Sequence, residues 1–414
     1  MYNLENLTIK VPEEAGWILK KLREAGYEGY CVGGCVRDCL LGRVPEDWDI
    51  TTSALPFEVK SLFCNTVDTG IQHGTVMVIR NGHGYEVTTY RIDGEYKDGR
   101  HPEKVEFTRS LEEDLKRRDF TINAFAYNEE SGVVDLFGGI EDLNHSLIKA
   151  VGDPDERFSE DALRIMRAIR FAAQLSFEIE ENTYQAIQRH AENLAKVSME
   201  RIRVEFEKTL LSKNPDMVRK FFEMSMGNYI VPSFEEDCRD FDEKLAFCLA
   251  DDFAEDKERR KYLLLAVFLK KLSYDEARTA LRRMKYDNKT RDLVSAIIRY
   301  KDEALTSDRV SIKNALNTMG VTVFQLIMTL KEAEGKRDEN EKQLQLIREI
   351  KELVKDIMEK EEPYSLAQLA VNGRDLIEAG VSQGTEVGKT LEKLLGVVIE
   401  NPAANTKENL LKLI

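Results

Sequence analysis

Residues 29–52 read GYCVGGCVRDCLLGRVPEDWDITT, and this stretch decides the fold. Tyr30 to Val32 predicts a strand, Gly33-Gly34 a turn, and Cys35 onward a short helix ended by Gly42. Trp48 to Thr52 predicts a second strand. Side chains alternate along a strand, so Asp47 and Asp49 face the same side. Two carboxylates held side by side repel unless a cation lies between them. Mg²⁺ held by one or two carboxylates and by substrate phosphates is the usual answer in phosphate-transfer chemistry. An isolated Asp-x-Asp is more often a solvated acidic turn, but its neighbours change that reading. Small residues between a strand and a helix let backbone N–H groups approach an anion, and the helix dipole adds to the attraction. Gly33 and Gly34 fit that role, although their spacing matches neither a dinucleotide fingerprint nor a P-loop. Arg37, one helical turn past Gly34, either reaches the same phosphates or pairs with Asp38 or Glu46.

Working outward, Thr75 to Ile79 and Gly84 to Thr89 predict two strands joined around Asn81-Gly82, a hairpin turn signal. Glu86 on the second strand is a candidate third carboxylate, or else a surface strand residue. Ser110 with Glu113 forms a capping-box pattern that opens a helix. Arg117 to Ala124 then sets two arginines and further polar groups, Asp119 and Asn123, ahead of what reads as an apolar helix. Arg118 is the candidate phosphate clamp, because a guanidinium fork matches phosphate oxygens. Two metal ions ~3.5–4 Å apart on Asp47 and Asp49 would polarise an attacking hydroxyl and neutralise a departing pyrophosphate.

A different motif follows at Glu160-Asp161-Ala162-Leu163-Arg164. Ser159 reads as an N-cap, which sets Asp161 and Arg164 three apart on one helix and makes them neighbours. The plain reading is an intrahelical ion pair. A sharper one starts from what each side chain offers: an ionised Asp only accepts hydrogen bonds and Arg only donates. Cytosine and adenine each present an amino donor beside a ring-nitrogen acceptor, and guanine and uracil present the reverse. Mismatched buried polar groups are costly, so such a pair would select C and A with no template strand. Arg167 and Arg170 continue at steps of three as a spiral ridge. Arg170 leaves the Asp161 face and is expected to touch a phosphate, a neighbouring segment or the base from another angle.

Bulk composition bounds these readings. The chain has 414 residues and a formal net charge of −15. That length suggests two to four domains. The balance of 42% hydrophobic and 33% charged residues is that of a soluble globular protein. No apolar run approaches the ~20 residues that cross a bilayer, and Met1 to Val11 carries no signal-peptide pattern. Six cysteines without paired C-x-x-C spacing suggest neither a disulfide framework nor a metal site, and a reducing cytoplasm is the expected compartment. The negative charge argues against nucleic acid unless cations cluster locally. Arg157, Arg164, Arg167 and Arg170 do cluster, which predicts a basic groove on an acidic body. Beyond Ser159 the pattern is helical, with apolar spacing over Thr183 to Leu194 and Met199 to Leu211. Lys331 to Lys360 reads as a solvated, highly charged helical stretch. The fold class is therefore α+β, a small mixed head followed by an all-helical arm.

Several motifs recur in one order: Gly33-Gly34 with Val36-Arg37-Asp38, Leu40 to Arg43 leading to Asp47-Trp48-Asp49, Arg117 to Ala124, Asp135 with Gly138-Gly139, Glu160 to Arg164, and Met199-Glu200-Arg201-Ile202. Together they span residues 29–211, and Leu369 to Leu376 adds a tail match. On these residues the chain resembles the bacterial class II tRNA nucleotidyltransferases, the CCA-adding enzymes of the polymerase-β superfamily. The resemblance implies a polymerase-β-like catalytic head over 1–150 and a base-recognising neck over 151–211. It implies a helical body over 212–330 and a tRNA-binding tail over 331–414. Mg²⁺ on the catalytic Asp47 and Asp49 is implied, as is binding of ATP or CTP by Gly34, Arg37, Arg118, Asp161, Arg164, Arg167 and Arg170. Gly33, Glu86, Asp119 and Asn123 are further candidates. The implied activity is template-independent addition of C, C and A to the tRNA 3′ end with release of pyrophosphate, the tRNA being held by its acceptor arm. Asp93 to Pro102 resembles a flexible loop that CC-only members lack. The A-adding and poly(A) polymerase variants stay open, and so does the oligomeric state, monomer or homodimer. A non-catalytic RNA-binding protein is opposed by the intact Asp47, Asp49, Asp161 and Arg164. All five histidines precede the body, so no His-Asp phosphohydrolase domain is expected.

Overall fold

The computed structural model describes residues 9–93, 105–231, 241–252 and 256–414. The chain divides into two compact units between residues 239 and 240.

The first unit opens with helix α1 (Glu13–Glu24), then β1 (Gly29–Val32), α2 (Gly34–Leu40), β2 (Ile50–Thr52) and α3 (Pro56–Leu62). Strands β3 (Thr66–Gly70), β4 (Thr75–Arg80) and β5 (His83–Thr89) follow, with a small ribbon of β6 (Arg91–Asp93) and β7 (Val105–Phe107). Next come α4 (Leu111–Lys116), β8 (Phe125–Asn128), β9 (Gly132–Asp135) and α5 (Gly139–Asn144). Seven strands form one mixed sheet in the order β3-β4-β5-β2-β1-β8-β9. β2 and β5 run parallel, with Ile50 opposite Val87, and the other pairs are antiparallel. The predicted β4–β5 turn is present, with positive φ at both Asn81 (50°) and Gly82 (81°), as a two-residue hairpin turn needs.

Alternation sets the two faces of this sheet. Ile50, Val76, Val78, Tyr85 and Val87 point toward α1 and α3 and bury Ala15, Ile18, Leu22 and Val59. Each fully buried Leu or Ile there contributes roughly 1.5–3 kcal/mol. The intervening Asp49, Thr51 and Glu86 must then point to the opposite face, where α4 packs Leu115 against Val32 and Ala126. The polar site thus lies on the face away from the larger core.

Two expectations change here. The strand begins at Ile50 and not Trp48, although the Val32 N–H still donates to the Asp49 carbonyl at 2.9 Å. The apolar stretch after Asn123 is strand β8, reached through a short 3₁₀ turn over Thr121–Asn123, and not a helix. Apart from Asp93, the Asp93–Pro102 loop lies outside the described residues.

The unit continues with β10 (Leu147–Ile148), α6 (Pro154–Glu160), α7 (Leu163–Leu175), β11 (Glu178–Ile179), α8 (Glu181–His190), α9 (Met199–Leu210), α10 (Val218–Glu223) and α11 (Gly227–Ile230). Ser159 is not the N-cap expected of it. Asp153 caps α6 by accepting from the Asp155 N–H at 2.9 Å, and Ser159 lies inside that helix. The helix then breaks at Asp161-Ala162, so Asp161 and Arg164 do not share one helix.

Every described element of the second unit is helical: α12 (Glu243–Asp252), α13 (Lys257–Phe268), α14 (Tyr274–Arg283), α15 (Asn288–Tyr300), α16 (Arg309–Met319), α17 (Val321–Arg337), α18 (Glu341–Glu359), α19 (Gly373–Glu378), α20 (Thr385–Glu400) and α21 (Lys407–Leu411). Lys331 to Lys360 is helical, in α17 and α18, but not simply solvated, because Ala333, Gly335, Ile347, Ile350 and Ile357 are buried. Gly335 permits the close crossing, since a Cβ there would lie 2.9 Å from the Leu344 side chain.

Candidate active site

Gly33 starts the site because only glycine suits it. Its φ is +78°, and a Cβ would meet Arg118 Nη1 at 3.0 Å. The Arg118 guanidinium therefore lies over the turn that opens α2. Gly33→Ala is expected to displace Arg118 and cost ~1–3 kcal/mol of backbone strain. Steady-state kinetics should show KM for the nucleotide up about tenfold with kcat little changed, as loss of ground-state binding gives.

Asp47 and Asp49 lie just ahead of the central strand β2, both exposed to solvent. One step before the Ile50–Val87 pairing, Asp49 stands beside Glu86. Asp49 keeps an exposed side, yet the protein packed around it removes enough water to raise its carboxyl above the usual range. The charges of Glu86 and Asp47 push the same way, and Arg118 pulls against them. Among the described residues no three His, Cys, Asp or Glu side chains already enclose a cation position. Like-charged carboxylates with only Arg118 set against them nonetheless fit an ion whose remaining ligands are substrate phosphates. Cys35 and Cys39 do not compete for that role: Cys35 is buried with its thiol pushed up to about 12 by desolvation and by the Asp49 charge.

Asp114 organises the arginines from below. It is fully buried, accepts from the Thr51 hydroxyl at 3.1 Å and takes Arg117 through Nε (3.0 Å) and Nη2 (2.7 Å). Arg118 Nη2 is a weaker partner at 3.4 Å, and Arg118 Nε is buried with no partner. Arg118 thus retains donors for a ligand anion. Asp114 was missed in the sequence, although Asp114, Arg117 and Arg118 sit at the i, i+3 and i+4 spacing that brings side chains together.

A hydrogen-bonded chain runs inward from α2. Arg37 donates to Asn123 Oδ1 at 2.5 Å and to Asp38 at 2.9 and 3.0 Å. Asn123 Nδ2 donates to Asp119 Oδ1 at 3.1 Å, and Arg167 donates to Asp119 Oδ2 through Nε at 2.7 Å. Burial works against ionisation of Asp119, but Arg167, Asn123 and Arg164 override it and hold the carboxyl at about 2. A folded value below the unfolded ~3.9 adds stability above pH 4, of the order of 2–3 kcal/mol, and loses it as pH falls toward 2. Asp119→Asn is therefore expected to lower the urea midpoint clearly at pH 7, with the gap to the parent closing in acid. An equal gap at pH 7 and pH 2.5 would contradict the pairing.

The neck residues are positioned differently from expectation. Asp161 sits at the α6–α7 break, where Oδ1 accepts from the Leu163 N–H at 3.0 Å and Oδ2 accepts from Arg201 Nη2 at 2.9 Å. Arg164 pairs with Glu160 at 2.5 Å and not with Asp161. It also donates to the carbonyls of Arg157 (3.1 Å) and Arg117 (2.8 Å), which spends three of the five guanidinium N–H groups. Each Asp161 oxygen keeps an accepting lone pair, and Arg164 keeps donors. Arg170 donates to Glu205 Oε2 at 2.5 Å and to Gln174 at 2.8 Å, which is the neighbouring-segment alternative. The arginine run is not a bare basic groove: Arg157, Arg164, Arg167 and Arg170 each hold a carboxylate. Arg201 and Glu205 were missed as partners because both lie on α9, remote in sequence.

A mixed sheet with paired aspartates at the start of its central strand, a glycine turn under an arginine, and a helical arm define a nucleotidyltransferase. The family described as Poly A polymerase head domain matches residues 29–149, and a tRNA nucleotidyltransferase domain 2 family matches residues 254–414. Residues 176–238 match a family described as a probable RNA and SrmB-binding site of polymerase A. A CCA-adding enzyme of Ligilactobacillus salivarius is 40% identical over 406 residues, covering 95% of this chain and 94% of its own. One from Pediococcus pentosaceus is 39% identical, with 97% of each chain covered. The crystal structure of the Bacillus stearothermophilus CCA-adding enzyme in complex with CTP is 34% identical, with a TM-score of 0.81 over 97% of this chain and 96% of that one. The chain belongs to the CCA-adding enzyme family of tRNA nucleotidyltransferases.

Proposed function

We propose that this chain adds C, C and A in turn to the 3′ end of tRNA, using CTP and ATP and releasing pyrophosphate, with no nucleic-acid template. One observation carries the reading. Arg164, whose side chain would meet the base, donates to the Arg117 carbonyl, and the next residue, Arg118, covers the Gly33 turn. A base-reading end and a phosphate-holding end are thereby joined within a single residue of backbone.

In this reading Asp47 and Asp49 are the catalytic carboxylates and hold Mg²⁺, with Glu86 as the nearby third carboxylate. The ions, when bound, supply the positive charge that favours the attacking 3′-oxygen and the leaving pyrophosphate. Gly33, Gly34 and Arg118 bind the triphosphate, and Arg37 is oriented toward it by Asp38 and Asn123. Asp161 accepts from the amino group of C or A while Arg164 donates to the ring nitrogen, Arg167 completes the nucleotide wall, and Arg170 braces that wall through Glu205. The neck, body and tail hold the acceptor arm. No described helix is long and apolar enough to cross a membrane, and the enzyme is proposed to act in the cytoplasm.

The test supplies tRNA lacking the last three nucleotides, or lacking only the terminal A, with labelled CTP or ATP. Incorporation of C, C and then A is expected. Incorporation of A alone would identify an A-adding enzyme, long A tails on unrelated RNA would identify a poly(A) polymerase, and no product with any substrate would overturn the reading.

A further inference from the structure

Phe171, one residue past Arg170, looks like ordinary core: it is 6% exposed and sits on α7, a helix buried on nearly every side. Its neighbours are not those of a core residue. The guanidinium carbon of Arg170 lies 3.8 Å from the ring centroid, that of Arg37 5.1 Å and that of Arg167 5.3 Å. All three are within the ~6 Å over which a ring quadrupole attracts a cation. One of them comes from α2 in the glycine-turn region and two from α7, so a single ring gathers cations from both ends of the nucleotide site.

Three like charges would otherwise repel. Asp38, Asp119 and Glu205 each hold one guanidinium by its edge. An edge pair fixes a guanidinium within its plane but leaves its tilt free, whereas an aromatic ring beside it constrains the tilt. The ring is itself oriented, since Phe120 meets it edge-on at 5.9 Å and 80°. Phe120 is fully buried, and its backbone bridges to Ala150.

We propose that Phe171 is a positioning residue for nucleotide binding: its π system sets the orientation of Arg37 and Arg167 together, so that the triphosphate grip and the nucleotide wall form one rigid unit. The inference rests on the nucleotide-binding reading of those arginines given above. The cations on the ring are Arg37, Arg167 and Arg170 and not the base-reading Arg164, so Phe171 contributes to affinity and not to the choice between bases. CTP and ATP are affected alike, because the ring acts through groups that hold what the two nucleotides share.

The experiment replaces Phe171 with a series of fluorinated phenylalanines, which drain the quadrupole while almost keeping the shape, alongside Phe171→Leu. Steady-state kinetics with CTP and with ATP, on tRNA lacking the appropriate 3′ nucleotides, are read together with Tm. The nucleotide KM is expected to climb stepwise with each added fluorine, reaching about tenfold with the most fluorinated ring or with Leu. Tm, kcat and rejection of UTP and GTP should change little along the fluorinated series. A flat KM across that series would overturn the proposal, even if Phe171→Leu lost activity through poor folding. Arg37→Lys and Arg167→Lys separate the two levels of the argument. If they raise KM while the fluorinated series is flat, the ring's role fails. If they too leave KM unchanged, the reading of the arginines as nucleotide ligands fails.

Discussion

Asp49→Asn is expected to abolish nucleotide addition, by at least about a thousandfold, while leaving the metal-free protein as stable as the parent or slightly more so. Removing one carboxylate from a two-metal centre removes both a ligand and the charge that holds the ion. The stability side comes from the same residue read in the folded protein alone. Desolvation raises the Asp49 carboxyl, and the charges of Glu86 and Asp47 add to that cost, with only Arg118 opposing. A neutral amide of the same shape removes an unfavourable charge. Water at the exposed side screens much of the repulsion, so the gain in EDTA should be small, of the order of 1 °C in Tm. Adding magnesium with CTP should raise Tm in the parent and not in the variant, because only a state-specific ligand shifts the folding equilibrium. Asp47→Asn should likewise lose activity with the fold intact. Retained turnover in either variant would remove the metal role. A Tm several degrees below the parent in EDTA would contradict the charge balance at Asp49.

The second large effect is expected in fidelity. Asp161→Asn should let UTP and GTP compete, narrowing the preference for CTP over UTP by about 10- to 100-fold, the range that one mismatched polar group controls. An amide can present a donor where the carboxylate presents only acceptors. The oxygen that caps Leu163 is retained in Asn, but the other position would turn an NH₂ toward Arg201, so the 2.9 Å pair to α9 weakens as well. Misincorporation assays with each nucleoside triphosphate, made at matched extents of correct addition, measure this. Unchanged fidelity would sink the account of base selection. Arg164→Ala is also expected to blur selection, but the structure makes it a less clean variant. Arg164 donates to the carbonyls of Arg157 and Arg117 and to the carboxylate of Glu160, and its loss takes the donor from the Arg117 carbonyl, at ~1–3 kcal/mol for an acceptor left unpaired.

The head was largely legible because its signals are local. The Asn81-Gly82 turn and the strand–glycine–helix run from Gly29 to Leu40 depend on residues only a few positions apart, whereas the strand expected from Trp48 begins at Ile50. The neck was legible as a motif but not as a geometry. Three-residue spacing at Asp161 and Arg164 suggested one helix, and nothing nearby in sequence announced the break, which is fixed by Asp161 turning back to cap Leu163 and out to reach Arg201. The buried side of α17 and α18 was hidden for a related reason. A charged amphipathic pair and a solvated helical stretch share the same composition, and only the packing of Gly335 against Leu344 separates them.

Sequence alone determined which groups this protein offers for the proposed chemistry: paired acidic groups suited to a divalent ion, a small-residue turn suited to phosphates, and an acceptor with a donor suited to a base edge. These follow from residue type and short-range spacing, which the backbone obeys wherever it is placed. Tertiary structure alone decided which charges remain available. Asp119 reaches Arg167 across 48 residues and Glu205 reaches Arg170 across 35, so these two arginines of the apparent basic ridge are neutralised by partners that no local pattern reveals. The physical reason is that Coulomb and hydrogen-bond energies depend on distance through space, a few ångströms here, and the chain brings such groups together only when it folds.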